Sequence, residues 1–155
     1  MEFCCLMLDF KIKDWELWSK IIDHNDLSDK GLESRPHVTI VYGLLPEVDH
    51  KKVQKILPSC EIPCKVLGLN LFENDNYDVL HFQLQSKWLN RWHGMVSRKF
   101  ECELQYDEYD PHLTVAYLLP GTGQKYLKKS KMNNYTITPF RWHYSYADGR
   151  HIYFD

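Results

Sequence analysis

Two short segments of the chain share a pattern of histidine and threonine. Residues 36–42 read PHVTIVY and residues 111–117 read PHLTVAY, with four of the seven positions identical. An imidazole can accept or donate a proton near neutral pH, and a hydroxyl can donate a hydrogen bond to an anionic oxygen. Two His-x-Thr copies therefore supply a base, an acid and two hydroxyl donors, which together suit the binding and cleavage of a phosphodiester.

The residues around each histidine are apolar and β-branched, which predicts that both segments are strands. Because alternate residues of a strand point to opposite faces, His37 and Thr39 share one face, and His112 and Thr114 share the equivalent face of the second strand. The repeat recurs after seventy-five residues, which predicts a duplicated fold with two similar lobes. We expect the four polar side chains to meet across one groove between the lobes.

This motif pair resembles the 2H phosphoesterase superfamily, which is defined by two His-x-Thr/Ser motifs. Its relatives include LigT-like RNA ligases and cyclic phosphodiesterases, viral and animal 2',5'-oligoadenylate phosphodiesterases, and small phage nucleases that destroy the cyclic-oligonucleotide signals of CBASS defence. The resemblance implies that His37, Thr39, His112 and Thr114 are catalytic, without a metal or another cofactor. We assign His112 as the base and His37 as the acid.

The same resemblance implies a fold and a domain organisation. We expect an α+β, bilobal fold in which two antiparallel sheets face a central groove and helices cover the outer faces. Residues 1–155 form a single 2H phosphoesterase domain on this interpretation.

The size and composition favour a small nucleotide as substrate. Aromatic residues make up 14% of the chain, and the net charge of −2 does not suit a long RNA duplex. Together with the resemblance to the small viral members of the superfamily, this implies our leading prediction: a phosphodiesterase that cleaves cyclic di- or trinucleotides or short oligonucleotides, as a viral antagonist of immune signalling such as CBASS. The alternatives are a 2',3'-cyclic phosphodiesterase or RNA 2'-5' ligase-like enzyme of RNA-end processing, and a nucleotide-binding sponge that does not cleave.

Four further side chains are candidates for substrate binding. Arg35 ends a long polar segment that is predicted to be a loop, and it is placed to contact a phosphate while the loop closes as a lid. His81 alternates with apolar neighbours and therefore can line the groove. Trp142 and Tyr144 share one face of a strand and stack on bases if that face opens on the groove, whereas the alternative is that this is a core face.

Other features of the chain point away from metals and membranes. No HExxH helix or aspartate cluster accompanies the motif histidines, so we expect no metal site, and the five cysteines are typical of reduced thiols packed in a core. No apolar run has the length of a membrane span, and the N-terminus lacks signal-peptide features. We therefore expect a cytoplasmic monomer, in the host cytoplasm if the source is viral, that needs no protein partner. A basic cluster is either a solvated face or a polyanion contact; its members are Lys125, Lys128, Lys129 and Lys131.

Hydrophobic periodicity predicts an alternation of strands and helices around these motifs. The predicted strands are 2–10, 37–45, 62–72, 77–85, 100–105, 112–119, 135–146 and 151–154. The predicted helices are 14–23, 50–57 and 86–99, with a short basic helix within 121–134 and a loop over 24–36. Asp148-Gly149 predicts a two-residue hairpin turn.

Overall fold

The protein is built on an antiparallel sheet with few helices, as seen in a computed structural model that describes residues 2–129 and 135–154. The strands of the described residues are Cys4–Phe10 (β1), Leu27–Leu32 (β2), His37–Leu44 (β3), Cys64–Glu73 (β4), Asp78–Gln85 (β5), His112–Leu118 (β6), Thr136–Ile137 (β7), Pro139–Ser145 (β8) and His151–Tyr153 (β9). The α-helices are Trp18–Ile21 (α1), His50–Gln54 (α2) and Lys87–Lys99 (α3). The predicted α+β class is therefore confirmed.

Hydrogen bonds link all nine strands into one sheet, in the spatial order β7-β4-β5-β6-β3-β1-β8-β9, with β2 also paired to β6. The two motif strands, β3 and β6, lie side by side and antiparallel, joined through the pair Val38 and Leu113. On one side β6 pairs with β5 over six positions, and on the other β3 pairs with β1 over six. Two half-sheets thus meet at a seam between the motifs. The prediction of two separate sheets facing each other is not confirmed, because a ladder pair connects them.

The core lies on the face of the sheet that the motif residues do not use. Val38 and Leu113 are fully buried there, and α3 packs on this face through a stripe that includes Trp92. The ring of Trp92 lies 5.0 Å from that of Trp142 on β8. The strand alternation inferred from the motifs therefore sends the apolar residues to the core and the His/Thr residues to the opposite face.

Helix α3 confirms the prediction for 86–99, while the predicted helix over 14–23 is shorter. Asp14 adopts a left-handed conformation with φ of 62° and makes no side-chain cap, and a 3₁₀ turn at Trp15–Leu17 leads into α1. Helix α2 begins where expected, since the Asp49 side chain accepts a hydrogen bond from the Lys51 N–H. Residues 100–105 form no strand, and only the bridge between Leu44 and Cys102 ties them to the sheet among the described contacts.

The segment 24–36, predicted as a loop, contains a 3₁₀ turn at His24–Asp26 and the strand β2. The polar sequence of this segment is compatible with a strand, because β2 pairs alongside β6 and is only partly buried. The prediction of a loop therefore needs correction for residues 27–32, which form a strand whose two ends pair with β6, and residues 33–36 connect this strand to β3.

The C-terminal part also differs in detail. The predicted strand over 135–146 is divided into β7 and β8. The turn between β8 and β9 has three residues rather than two, because the Tyr146 N–H donates to the Arg150 carbonyl and the Gly149 N–H donates to the Tyr146 carbonyl. Gly149 has φ of 94°, as the glycine of such a three-residue hairpin requires.

The basic cluster is not a helix over the residues described. A 3₁₀ turn spans Gln124–Tyr126, and the Lys125 ammonium is paired with Asp26 at 2.7 Å. Lys131 lies outside the described residues. Within the described ranges no helix is long and apolar enough to cross a bilayer, and each of the five cysteines is a free thiol.

Candidate active site

The two His-x-Thr motifs lie crosswise on one face of the sheet. Val38 and Leu113 are partners in the antiparallel ladder, so one step along each strand sets His37 beside Thr114 and Thr39 beside His112. The two histidines are diagonal neighbours, and such residues are separated by about 7–8 Å. The site predicted from the repeat is therefore assembled on adjacent strands at the seam between the half-sheets.

Both motif histidines are held by the same local hydrogen bond. The Nδ1 of His37 lies 3.0 Å from the Arg35 carbonyl, and the Nδ1 of His112 lies 2.8 Å from the Asp110 carbonyl. A carbonyl only accepts, so in each neutral ring Nδ1 carries the proton and Nε2 carries the lone pair. The proline between each pair favours an extended conformation for the residue before it. Each imidazole therefore offers Nε2 for chemistry.

Burial tunes His112 toward the neutral form. Desolvation lowers the pKa of His112, and a positive charge on His37 lowers it further, while the hydrogen bond to the Asp110 carbonyl opposes both effects. His37 has a more open setting, with its side chain 25% exposed and a Glu33 carboxylate oxygen 4.0 Å from Nδ1. At neutral pH a neutral His112 is able to accept a proton.

Tyr109 connects the two motifs through a hydrogen bond and a stacked ring. The Tyr109 hydroxyl donates to the Thr39 carbonyl at 2.7 Å. Its ring stacks on His93 with centroids 4.2 Å apart, and Nδ1 of His93 lies 2.6 Å from the Ile40 carbonyl. These contacts tie the segment that precedes the second motif to the strand of the first. His93 is thus a packed histidine.

His81 lies in this site, but in a deeper layer than the sequence predicted. It is opposite Thr114 in the ladder and only 1% exposed, and its Nδ1 lies 3.0 Å from the Val79 carbonyl. Its ring stacks on Phe72 at 3.9 Å and meets the His112 ring at 5.2 Å. The prediction that His81 lines the groove is corrected to a buried position beside His112. Burial lowers the pKa of His81 to about 4.

Trp142 and Tyr144 do not belong to the site. Both are buried on the core face, with 5% and 0% exposure. The Trp142 indole donates to the Pro58 carbonyl at 2.8 Å, and the Tyr144 hydroxyl donates to the Val48 carbonyl at 2.8 Å. The prediction that they stack on bases is therefore corrected, because packing and hydrogen bonds of the interior occupy both rings.

Other aromatic rings lie near the motifs instead. Phe72 packs edge-on to His112 with centroids 4.9 Å apart. Tyr117, next to the Thr114 hydroxyl, packs edge-on to Tyr77 at 5.5 Å. The Lys30 ammonium donates to the Tyr77 hydroxyl at 2.8 Å and lies 5.2 Å from the Tyr117 ring. The Tyr of the second motif could have indicated this cluster, but Tyr77 and Lys30 join it only through pairing of strands.

The structure also brings a polar cluster to His37 that the sequence did not indicate. Asp9 is the ladder partner of His37 on one side and of Arg141 on the other. Its carboxylate accepts hydrogen bonds from Arg141 Nε at 2.7 Å and from His143 Nδ1 at 3.1 Å. Arg35 is exposed at the same end of the site. Among the described residues no group of three or more His, Cys, Asp or Glu side chains is arranged to hold a metal ion.

Comparisons with known proteins agree with this fold and give the chain a family. A family model described as "Anti-CBASS protein Acb1" matches residues 11–140. The structure of Kluyveromyces marxianus Usb1 is similar with a TM-score of 0.64 at 10% identity, over 98% of this chain and 97% of that one. A crystal structure described as a phosphoesterase is similar with a TM-score of 0.52 at 14% identity, over 98% and 93%. A search of curated protein sequences finds none that match.

Proposed function

The chain belongs to the anti-CBASS protein Acb1 family, and we propose that it is a metal-independent phosphodiesterase that cleaves a cyclic di- or trinucleotide signal, or a short oligonucleotide signal, of CBASS defence. On this proposal it is a phage antagonist that acts in the cytoplasm of the infected cell. The observation that carries the proposal is the antiparallel pair Val38 and Leu113, which sets the two His-x-Thr motifs crosswise on adjacent strands.

Acid–base roles follow from the settings of the two imidazoles. The neutral His112 accepts a proton at Nε2 from the attacking group, which is a ribose 2'-hydroxyl or water. Its lowered pKa keeps it unprotonated at neutral pH. His37, protonated at Nε2, donates to the leaving oxygen from the other end of the diagonal. The Glu33 carboxylate, 4.0 Å away, is an ion-pair partner for that protonated ring.

The two threonines act on the phosphate itself. Each hydroxyl lies on the same face as the imidazoles and can donate to a non-bridging oxygen, whose negative charge must be stabilised as the nucleophile attacks. Four donors and acceptors from two strands thus surround one phosphate. This chemistry needs no metal ion, because the histidines move the protons and the threonines stabilise the charge.

The surroundings of the site support a nucleotide as the substrate. Phe72 borders His112, and Tyr117, which packs with Tyr77 and Lys30, lies next to Thr114. Aromatic rings and cations beside a phosphate site are suited to the bases of a nucleotide whose phosphate lies between the motifs.

One panel tests the proposal. Cyclic dinucleotides, a cyclic trinucleotide, 2',5'-oligoadenylate and a 2',3'-cyclic mononucleotide are incubated separately with wild-type protein, His37→Ala and His112→Ala, and the products are separated by chromatography. We expect linear products from a cyclic substrate, and a loss of at least about 10²-fold in rate for each variant. Chelator should leave the rate unchanged. His24→Ala, in an exposed turn, serves as the matched control.

Each alternative gives a different result in this panel. Turnover of the 2',3'-cyclic mononucleotide alone would support RNA-end processing instead. Return of every ligand intact after denaturation of the protein, despite measurable binding, would support a sponge. Activity that is abolished by chelator and restored by zinc would contradict the metal-independent mechanism.

A further inference from the structure

A second polar cluster lies beside the motifs on the same face of the sheet. His37, Asp9 and Arg141 form a row across the adjacent strands β3, β1 and β8. Since ladder partners point to the same face and strands lie about 4.7–4.9 Å apart, the Arg141 backbone is about 10 Å from that of His37. One small ligand can therefore contact both the Arg141 guanidinium and the imidazole of His37.

Buried Asp9 holds this guanidinium in a fixed orientation. Asp9 is only 5% exposed, and its carboxylate binds Nε of Arg141 and Nδ1 of His143. Arg141 also lies over the ring of Tyr153, with its Cζ 4.0 Å from the centroid. The contact with Asp9 uses Nε, which leaves the Nη atoms of the guanidinium for a ligand. The Arg141 side chain is 31% exposed, so a ligand can reach it.

A second guanidinium converges on the same tyrosine. Nη1 of Arg35 donates to the Tyr153 hydroxyl at 3.0 Å, and the Arg35 carbonyl is the acceptor that orients His37. Two guanidiniums at one phenol repel each other unless an anion lies between them. Asp9 carries one negative charge, whereas Arg35 and Arg141 together carry two positive charges. The cluster thus keeps an excess of positive charge next to the catalytic site.

We propose that Arg35 and Arg141, placed around Tyr153, form a second phosphate subsite that binds the phosphodiester that is not being cleaved. Guanidiniums bind phosphate oxygens through paired N–H donors, which a lysine cannot reproduce. The row from His37 to Arg141 gives the direction in which the substrate extends. Neither arginine contacts the phosphate that reacts, so both act on substrate affinity and on the choice of substrate.

This inference rests on the proposed function and narrows its substrate class. A ligand that fills both subsites carries at least two phosphates within one small molecule, as cyclic dinucleotides, cyclic trinucleotides and short oligonucleotides do. A 2',3'-cyclic mononucleotide has one phosphate and gains nothing from Arg35 or Arg141. The subsite therefore favours signal nucleotides over a 2',3'-cyclic mononucleotide, which stands for the cyclic end of an RNA.

The test is the ratio of kcat/KM for a cyclic dinucleotide to kcat/KM for a 2',3'-cyclic mononucleotide. We expect Arg35→Ala and Arg141→Lys each to lower this ratio at least tenfold, chiefly through the KM of the dinucleotide. Arg35 is exposed, so its variant should fold normally, and Arg141→Lys keeps the charge near Asp9. Arg91→Ala removes the same charge from α3 on the opposite side of the sheet and should leave the ratio unchanged.

Binding measurements separate this inference from the proposed function. If wild-type protein cleaves neither substrate, the proposed function fails. Calorimetric binding of the dinucleotide and of the mononucleotide to His112→Ala, with and without Arg35→Ala, then still tests the subsite. At least tenfold weaker binding of the dinucleotide alone supports the subsite. Equal effects on both ligands, no effect on either, or no binding of the dinucleotide would overturn it.

Discussion

The imidazole rings of His81 and His112 lie with their centroids 5.2 Å apart and their planes at 69°. One ring is buried and the other faces the site, so His81 forms part of the low-dielectric wall that holds His112 neutral. His81 is itself neutral near pH 7, because burial lowers its pKa to about 4. Its effect on His112 at that pH is therefore exclusion of water rather than charge.

Replacing His81 should change the pH dependence of the reaction. In His81→Ala water reaches the His112 ring, which relieves the desolvation that lowers its pKa. The acid limb of kcat/KM should therefore move to higher pH, toward the ordinary histidine value of about 6.5. His81→Phe keeps a ring stacked on Phe72 and should keep the limb near its wild-type position. Identical profiles for all three proteins would contradict this role for His81.

Thr39 and Thr114 should each contribute through the hydroxyl group. Thr39→Val and Thr114→Val keep the shape of the side chain but remove its donor, and we expect kcat to fall by about 10²–10³-fold. Thr39→Ser and Thr114→Ser keep the donor and should retain most of the activity. Thr136→Val, on the far edge strand β7, is the control and should behave as wild type. Steady-state rates on a cyclic dinucleotide measure these effects, and equal losses for the Ser and Val variants would refute a role of the hydroxyl.

Asp9 should stabilise the fold in a pH-dependent way. Burial raises its pKa, but the hydrogen bonds and charges of His143 and Arg141 outweigh burial and leave it below the usual value. The stabilisation is then fully present above the unfolded-state pKa of about 3.9 and is lost as the pH falls through the lower folded value. Asp9→Asn should lower the unfolding free energy at pH 7 by about 1.5–3 kcal/mol.

Urea unfolding at a series of pH values measures this effect. The difference between wild type and Asp9→Asn should shrink as the pH falls below about 4. Asp75→Asn, in the exposed turn between β4 and β5, should change the stability little at any pH. If the difference in unfolding free energy between wild type and Asp9→Asn stays constant down to pH 2, the charge of Asp9 is not what stabilises the fold.

Gly43 should not tolerate a side chain. It has φ of 111°, and an added Cβ would lie 2.2 Å from the Glu103 carbonyl oxygen. The Glu103 N–H donates to the Gly43 carbonyl at 2.8 Å, so this contact fixes the chain that leads to Tyr109 and His112. Gly43→Ala should lower the free energy of unfolding by about 1–3 kcal/mol or more. It should also lower the activity, because the second motif shifts.

Gly149 provides the comparison for Gly43. It has φ of 94° but nothing within 4 Å of an added Cβ, so Gly149→Ala reports the backbone conformation alone, at about 1–2 kcal/mol. Urea unfolding should show the larger loss for Gly43→Ala, and only that variant should lose activity. Equal losses for the two would mean that the contact with Glu103 contributes nothing.

The strands that carry His37 and His112 were predictable because local pattern decides them. Each has alternating apolar residues, and alternation alone assigns the imidazole and the hydroxyl to one face. The sequence of β8 shows the limit of such reasoning. Its two faces carry Trp142 and Tyr144 on one side and Arg141 and His143 on the other, and both sets contain rings. Which face is buried depends on where α3 packs, and α3 is distant in sequence.

The burial of Asp9 and the strand conformation of β2 could not be predicted, for a related physical reason. A charged residue near the end of an apolar strand is normally exposed, and Asp9 is buried only because Arg141 and His143 arrive from a strand more than a hundred residues later. The residues of β2 are polar and include a glycine, which is typical of loops. Their strand conformation comes from pairing with β6, which no property of the segment itself indicates.

The seam between β3 and β6 predicts that substrate binding changes the local stability of the sheet. Only one ladder pair, Val38 and Leu113, joins these strands in the described sheet, so few backbone hydrogen bonds protect the amides at the seam. Amide hydrogens near Val38 and Leu113 should then exchange with deuterium sooner than those in the middle of β1 or β5. On the proposed function, a nucleotide that binds both His37 and His112 links the two strands through their side chains. Its binding should slow exchange at the seam while the distant β4–β7 edge is little affected.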